Sequence, residues 1–319
     1  MERFSVAIVG MGRIGYKYDF ESILDTHLSH LKSIEENDHF ELVACIDPQI
    51  FSLHLPSSIP SHLLYEDIEH LVGNVNPDYF IICTNTSELF KIAEFVINHF
   101  NPKVILIEKP VSHELAELER LIQLSSSQGI PIFVNYSRRV DPGFVDCHLE
   151  IEIQKHSNFV KGFAYYSKGI FNNGSHIIDL MTWFFGPCVE VRLRSEINTN
   201  ESDPSIDFEM VFATGVISVI SLDGLYYHPF GAELFFSSQL IRINSGFNGI
   251  DILVAEASPI FPRDYQINSI TRRINTDMMN SQKNVNQEIL NFLRSGHCRL
   301  PNIEDGAKII KLIHEIARE

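Results

Sequence analysis

The sequence predicts an α/β fold in two domains: a doubly wound parallel sheet over residues 1–136, then an α+β domain over 137–319 built on an open, mainly antiparallel sheet. Three observations carry this. The first 135 residues alternate short β-branched runs with helical patterns, as βαβ units do. A glycine-rich turn follows directly on the first run. After about residue 140 the runs change to strict apolar/polar alternation, the pattern of strands with one buried and one solvated face.

Strands are expected at residues 5–9, 41–46, 79–83, 104–107 and 131–134, each a near-continuous apolar run suited to a sheet covered on both faces. Of the intervening helices, 113–125 has Ser112 as its expected N-cap and Glu114 in its first turn.

In the second half, Val189, Val191 and Leu193 alternate with Glu190, Arg192 and Arg194, and Ile206, Phe208, Met210 and Phe212 with Asp207 and Glu209. Further strands are expected at 159–166, 216–222, 232–237 and 239–243, with a hairpin signal at Asp223-Gly224. Two helical patterns close the chain. Val285, Ile289 and Phe292 precede Gly296, and Ile303, Ile309, Ile310, Ile313 and Ile316 follow Asn302 as a cap. The last helix is allowed to fold back on the first domain.

Composition narrows the function. The 319 residues are 45% hydrophobic, and 25 Lys and Arg stand against 41 Asp and Glu, a net charge of −16 that repels phosphate backbones and anionic membranes. Nucleic-acid binding is not expected. The five cysteines, an odd number without a C-x-x-C pair, argue against a disulfide framework and a zinc site. No H-x-x-x-H or H-E-x-x-H spacing occurs, so no metal is expected. With no apolar run approaching a membrane span and no signal-peptide pattern at the N-terminus, a cytoplasmic protein is expected.

Gly10-Met11-Gly12-Arg13-Ile14-Gly15 follows the first strand, and this context makes it a dinucleotide-binding (Rossmann) turn rather than a glycine-rich loop without a ligand. The first glycine permits the tight turn, the second a close approach to the pyrophosphate, and the third the packing of helix on strand. The helix that follows offers unpaired N–H groups and a positive dipole end to phosphates. Asp47 ends the second strand, where a carboxylate takes the adenosine ribose hydroxyls. Pro48 and Gln49 follow it with no arginine to hold a 2′-phosphate, which favours NAD over NADP, although Arg13 is available to a phosphate. Asp47 lies 32 positions after Gly15 (47 − 15), against a usual spacing of about 20. An insertion at 16–26 is implied, either a surface loop or a segment that turns Tyr16, Tyr18 or Asp19 to the cofactor.

Glu108-Lys109-Pro110 ends the fourth strand at the carboxyl edge of the sheet, where ligands bind in open α/β folds. At this triplet, about a hundred residues after the glycine turn, the chain resembles the Gfo/Idh/MocA oxidoreductases. The resemblance gives Lys109 the contact with the reacting hydroxyl and sets Glu108 beside the cofactor. An ammonium there stabilises the alkoxide character that develops as hydride leaves. The resemblance continues through the stretch 169–180, in which His176 matches the family's histidine, a general base for the substrate proton. Asn172 stands where the family has Asp, and is taken as a substrate contact. Asp179, three residues beyond His176, has either a structural or an orienting role.

The resemblance also places Thr84, Asn85 and Thr86, after the third strand, around the cofactor. Asn135, Arg138 and Arg139, after the fifth, are expected at the substrate, the arginines as bidentate anion binders or as a solvated turn. The resemblance thus implies NAD-dependent hydride transfer with a secondary alcohol of a sugar, nucleotide-sugar or cyclitol, in a homodimer or homotetramer held by the open sheet. The alternatives are a dinucleotide-binding sensor without turnover, which Asn172 keeps open, and a glycosidase assisted by tightly bound NAD.

Overall fold

The computed structural model describes residues 2–198, 202–244, 249–267 and 269–318. The chain divides into two compact units, Met1–Val140 with Met279–Lys308, and Asp141–Met278 with Ile309–Glu319. The division therefore differs from a single boundary after residue 136. Its physical reason lies in the core: Val285, Ile289 and Leu290 are buried in one apolar cluster with Val6, Ile8 and Tyr79.

The first unit holds β1 (Phe4–Val9), α1 (Tyr18–Phe20), α2 (His30–Glu35), β2 (Phe40–Ile46), β3 (Leu64–Tyr65), β4 (Tyr79–Ile82), α3 (Thr86–His99), β5 (Val104–Ile107), α4 (Leu115–Gln128) and β6 (Ile132–Val134). The strands form a parallel sheet in the order β3-β2-β1-β4-β5-β6. Every residue of β4 and β5 is buried, which is why both read as unbroken apolar runs. The chain winds outward in both directions from β1, so the order switches between β1 and β4, and the carboxyl ends of these two strands open a crevice.

Helix α4 is capped by Glu114 rather than Ser112. Ser112 lies outside the helix, where its hydroxyl accepts the Glu114 N–H at 2.9 Å and bonds the Glu117 carboxylate. A short polar side chain can serve a local turn as readily as a cap.

The second unit contains α5 (Pro142–Asn158), β7 (Phe159–Tyr166), α6 (Ser175–Phe185), β8 (Glu190–Asn198), β9 (Ser205–Phe212), β10 (Gly215–Ser221), β11 (Gly231–Phe236), β12 (Gln239–Ile243), β13 (Ile250–Val254), the small hairpin β14 (Glu256–Ala257) and β15 (Tyr265–Gln266), and β16 (Arg272–Ile274). The eight-stranded sheet runs β16-β13-β12-β11-β7-β10-β9-β8, antiparallel except for β7 beside β10. Phe208, Met210, Ile217 and Leu234 line its buried face. The opposite face carries Phe235 and Ile220 with the ion pairs Arg242–Glu233 and Arg194–Glu209.

Two local expectations fail here. Val189 is 70% exposed and precedes β8, so the buried set of that strand begins at Val191. Asp223-Gly224 does turn the chain, with Gly224 at φ +82°, but β10 does not pair with β11 because β7 lies between them.

The chain ends in α7 (Ser281–Ser295) and α8 (Ile303–Arg318). Gly296 closes α7 in the left-handed conformation, and the Asn302 side chain accepts the Asp305 N–H at 2.9 Å. Among the described residues, no helix is long and apolar enough to cross a membrane.

Candidate functional site

At the carboxyl end of β1 the three glycines have three distinct reasons to be glycine. Gly10 has φ +100°, and a Cβ there would lie 2.7 Å from the Cys83 carbonyl. A Cβ on Gly15 would lie 2.3 Å from the Gly10 oxygen. A Cβ on Gly12 would meet nothing within 4 Å, because it would project into open space. Gly10 and Gly15 are thus demanded by the fold, whereas Gly12 keeps room for something else. The chain then enters a π-helical turn, Arg13–Lys17, whose ladder begins with Tyr16 N–H bonding Gly12 O. The N–H groups before it have no partner within the helix.

The open space is a cleft of about 890 Å³ lined entirely by the first unit, within the range of roughly 300–1,000 Å³ usual for small-molecule sites. Of the residues expected at the cofactor, Gly10, Gly12, Arg13, Ile14, Asp47, Thr84, Asn85 and Glu108 line it, and so does Lys109. Gly15 is buried behind it, and Thr86 opens α3 without lining it.

Asp47 holds the turn together. Its Oδ2 accepts the Met11 N–H and its Oδ1 the Gln49 N–H, both at 2.9 Å. Pro48 and Gln49 line the cleft beside it, and so do Glu66 and Asp67, which follow β3. That end of the cleft is acidic, with Arg13 across the glycine turn as a cation. Thr84 Oγ1, at the end of β4, is buried without a hydrogen-bond partner and belongs to the lining. The Cys83 thiol, pushed well up by burial and then by the nearby Glu108, stays protonated and donates to Gly10 O at 3.1 Å.

Glu108 extends β5 through its N–H bond to Ile82 O, and its side chain is buried. Oε1 accepts Asn135 Nδ2 at 2.5 Å and lies 3.3 Å from His30 Nε2, while Oε2 accepts the Lys109 N–H at 3.3 Å. Asn135 thus spends its amide on Glu108 and, at 3.0 Å, on Gln282 Oε1. Arg138 and Arg139 lie on the 3₁₀ turn Ser137–Val140, outside the cleft lining.

The insertion is a folded segment. Tyr16 is buried, Tyr18 lines the cleft, and Asp19 accepts Thr26 Oγ1 at 2.7 Å and the Leu28 and Ser29 N–H groups at 2.9 and 2.7 Å. Burial raises the Asp19 carboxyl, but these bonds and that from the Ser29 hydroxyl outweigh it and hold the group below its ordinary pKa.

In the second unit, the turn Gly169–Gly174 leads into α6. Asp203 accepts the N–H groups of Phe171 and Asn172 at 2.7 and 3.0 Å, and a Cβ on Gly169 would collide with that carboxyl group. Asn172 is therefore fixed through its backbone. His176, the second residue of α6, is partly exposed and edge-on to Phe230, with ring centroids 6.5 Å apart. Asp179 is buried. Among the described residues no group of three His, Cys, Asp or Glu side chains is arranged to hold a metal ion.

A doubly wound parallel sheet, with this glycine turn and a carboxylate closing β2, defines the class: a domain of the dinucleotide-binding (Rossmann) architecture. Residues 4–136 match the family model described as the oxidoreductase family with an NAD-binding Rossmann fold, so over this stretch the chain is similar to the Gfo/Idh/MocA proteins. The uncharacterized oxidoreductase YhhX of Escherichia coli K12 is 22% identical over 230 residues, 67% of this chain and 63% of that protein. The myo-inositol 2-dehydrogenase of Thermotoga maritima is 24% identical over 140 residues, 44% of this chain and 38% of its own length. The chain thus spans less than two thirds of these relatives. The solved structure of the WlbA dehydrogenase from Bordetella pertussis, in complex with NADH and UDP-GlcNAcA, covers 99% of this chain and 96% of its own at a TM-score of 0.76 and 15% identity, a likeness of fold.

Proposed function

We propose that the protein is an NAD-dependent dehydrogenase acting on a secondary alcohol of a sugar, nucleotide-sugar or cyclitol. The observation that carries the reading is that Gly12, Thr84 and Lys109 line one cleft at the switch point of a parallel sheet. The fit to a dinucleotide rests on the open space at Gly12 and on the buried, unpartnered hydroxyl of Thr84, which has a donor and acceptor to offer a ligand.

When bound, the nicotinamide supplies the hydride acceptor or donor. The rest falls to the chain. Asp47 receives the adenosine ribose, and with Glu66 and Asp67 it disfavours a 2′-phosphate. Lys109 Nζ stabilises negative charge on the substrate oxygen, and a ring nitrogen of His176 takes the hydroxyl proton. Asn172 and the arginines Arg138 and Arg139 complete the proposed substrate contacts. A substrate of sugar type is supported by the inositol dehydrogenase and by the UDP-GlcNAcA complex among the similar proteins.

The test is a screen of inositols, aldoses and nucleotide-sugars with NAD, following the absorbance of reduced cofactor. Turnover of a secondary alcohol supports the reading, and failure to bind either NAD(H) or NADP(H) overturns it. We also propose a homodimer or homotetramer formed through the open face of the second sheet, since Phe235 and Ile220 are exposed on it. Light scattering at micromolar concentration should give a multiple of 36.4 kDa, and a monomer overturns it.

A further inference from the structure

Behind Lys109, on the side away from solvent, lies a polar assembly that the proposed reaction does not use. His30, on α2, is fully buried, and its Nε2 faces Glu108 Oε1 at 3.3 Å. Its Nδ1 is buried without a hydrogen-bond partner. Gln282, near the start of α7, reaches the same carboxylate through Asn135. The Gln282 backbone is anchored in turn, because its N–H donates to His27 O at 3.0 Å and its carbonyl accepts Ser33 Oγ at 3.1 Å.

The polarity of these contacts follows from the acceptor at their centre. An ionised carboxylate accepts only, so the amide of Asn135 must present Nδ2 to it, and His30 must carry its proton on Nε2. Nδ1 is then left without a hydrogen-bond partner, at the cost of one buried unsatisfied polar atom. An apolar residue at position 30 would avoid this penalty altogether. What the imidazole contributes instead is a donor to Glu108.

We propose that His30 and Gln282 are positioning residues of the dinucleotide cleft. With Asn135 they fix the Glu108 carboxylate, and through the Lys109 N–H that Glu108 accepts they fix the backbone from which the Lys109 side chain departs. Helix α7, from the far end of the sequence, is then part of the site although it contributes nothing to the lining. The inference rests on the reading of the cleft as a dinucleotide site.

The test is a double-mutant cycle on the full chain with NADH as the probe, titrated by fluorescence, with secondary structure checked by circular dichroism. His30→Leu should weaken NADH binding about tenfold by releasing the Glu108 carboxylate that lines the cleft, the size expected for a coupled buried contact. His30→Gln, whose amide can donate to Glu108, should recover affinity to within about threefold of the original. The double variant His30→Leu/Glu108→Ala should bind no worse than the weaker single variant, because Glu108→Ala already removes the acceptor that His30 serves. If His30→Leu does not fold, His30→Asn replaces it: its amide is too short to reach Glu108, and it should bind as weakly. The proposal is overturned if His30→Gln is no better than His30→Leu or His30→Asn, or if the losses multiply in the double variant. Should the unmodified protein bind neither NADH nor NADPH, the dinucleotide reading fails and this proposal with it, whereas normal binding with multiplying losses removes only the proposal.

Discussion

Asp47 Oδ2 accepts the backbone N–H of Met11 at 2.9 Å, so the carboxylate that ends β2 also ties down the glycine turn that ends β1. One side chain therefore sets both the shape of the glycine turn and the charge at that end of the cleft. NAD(H) should bind more tightly than NADP(H), because Asp47, Glu66 and Asp67 meet a 2′-phosphate with like charge. Asp47→Ser should narrow that gap, and should also weaken binding of both cofactors by loosening the turn. Calorimetric titration with both dinucleotides measures the two effects separately, and equal affinities in the unmodified protein would contradict the assignment.

The glycines divide by what surrounds them. Gly15→Ala puts a methyl group 2.3 Å from Gly10 O and should lower Tm by several degrees, on the order of 2–3 kcal/mol of overpacking strain. Gly12→Ala meets nothing within 4 Å and should leave Tm unchanged while weakening NADH binding at least tenfold. Thermal melts with and without NADH distinguish the two. A Gly12→Ala variant with unaltered affinity would show that the space above Gly12 is not where the pyrophosphate sits.

How much of this was legible depended on how local the signal is. The five expected strands of the first unit emerge within one or two residues of their expected ends, since strands buried on both faces leave continuous apolar runs in the chain. Strand β3 has only two residues, too few for any periodicity, yet it carries Glu66 and Asp67 into the cleft. Asp223-Gly224 marks a reversal of direction, but a turn dipeptide does not say which strand the returning chain will pair with. The Glu108-Lys109-Pro110 triplet was visible as a motif. Its support from Gln282, bonded to Asn135 across 147 positions, arises only from packing.

Asp19 links pH to the stability of the insertion. Its carboxyl is held below the ordinary value in the folded protein, so it contributes stability at any pH above the unfolded value, and that contribution is lost as pH falls through the folded value. Acid should therefore release the segment 16–26 from Ser29 and the start of α2. Asp19→Asn should destabilise the protein at neutral pH by about 1–3 kcal/mol, the cost of leaving charge-assisted bonds half made. It should also flatten the stability curve below pH 4. Chemical denaturation at pH 7 and pH 3 makes the comparison, and parallel losses for both proteins would remove Asp19 from the acid transition.

The last prediction separates chemistry from binding. Lys109→Ala and His176→Ala should each lower kcat by about two to four orders of magnitude, the range for lost electrostatic or acid–base assistance, with NADH affinity nearly unchanged. Asn172 tests how the histidine is tuned. It precedes His176 by four residues, and its backbone is held by Asp203 at 3.0 Å, so a substitution there changes the side chain without freeing the turn. An amide carries no charge, whereas Asn172→Asp adds a carboxylate that favours the imidazolium and raises the pKa of His176. A base must be deprotonated to accept the substrate proton, so the limb of kcat/KM that rises with pH should move to higher pH in Asn172→Asp. The new carboxylate also meets the charge of Asp203 close by, which raises its own pKa and limits the displacement to about one pH unit. The measurement is a pH profile of kcat/KM for both forms on a substrate found by the screen. Coincident profiles would place residue 172 outside the electrostatic reach of the base. If the unmodified protein binds NADH but turns over no alcohol, and Asn172→Asp restores turnover, the natural chain is a dinucleotide-binding sensor whose base was left untuned.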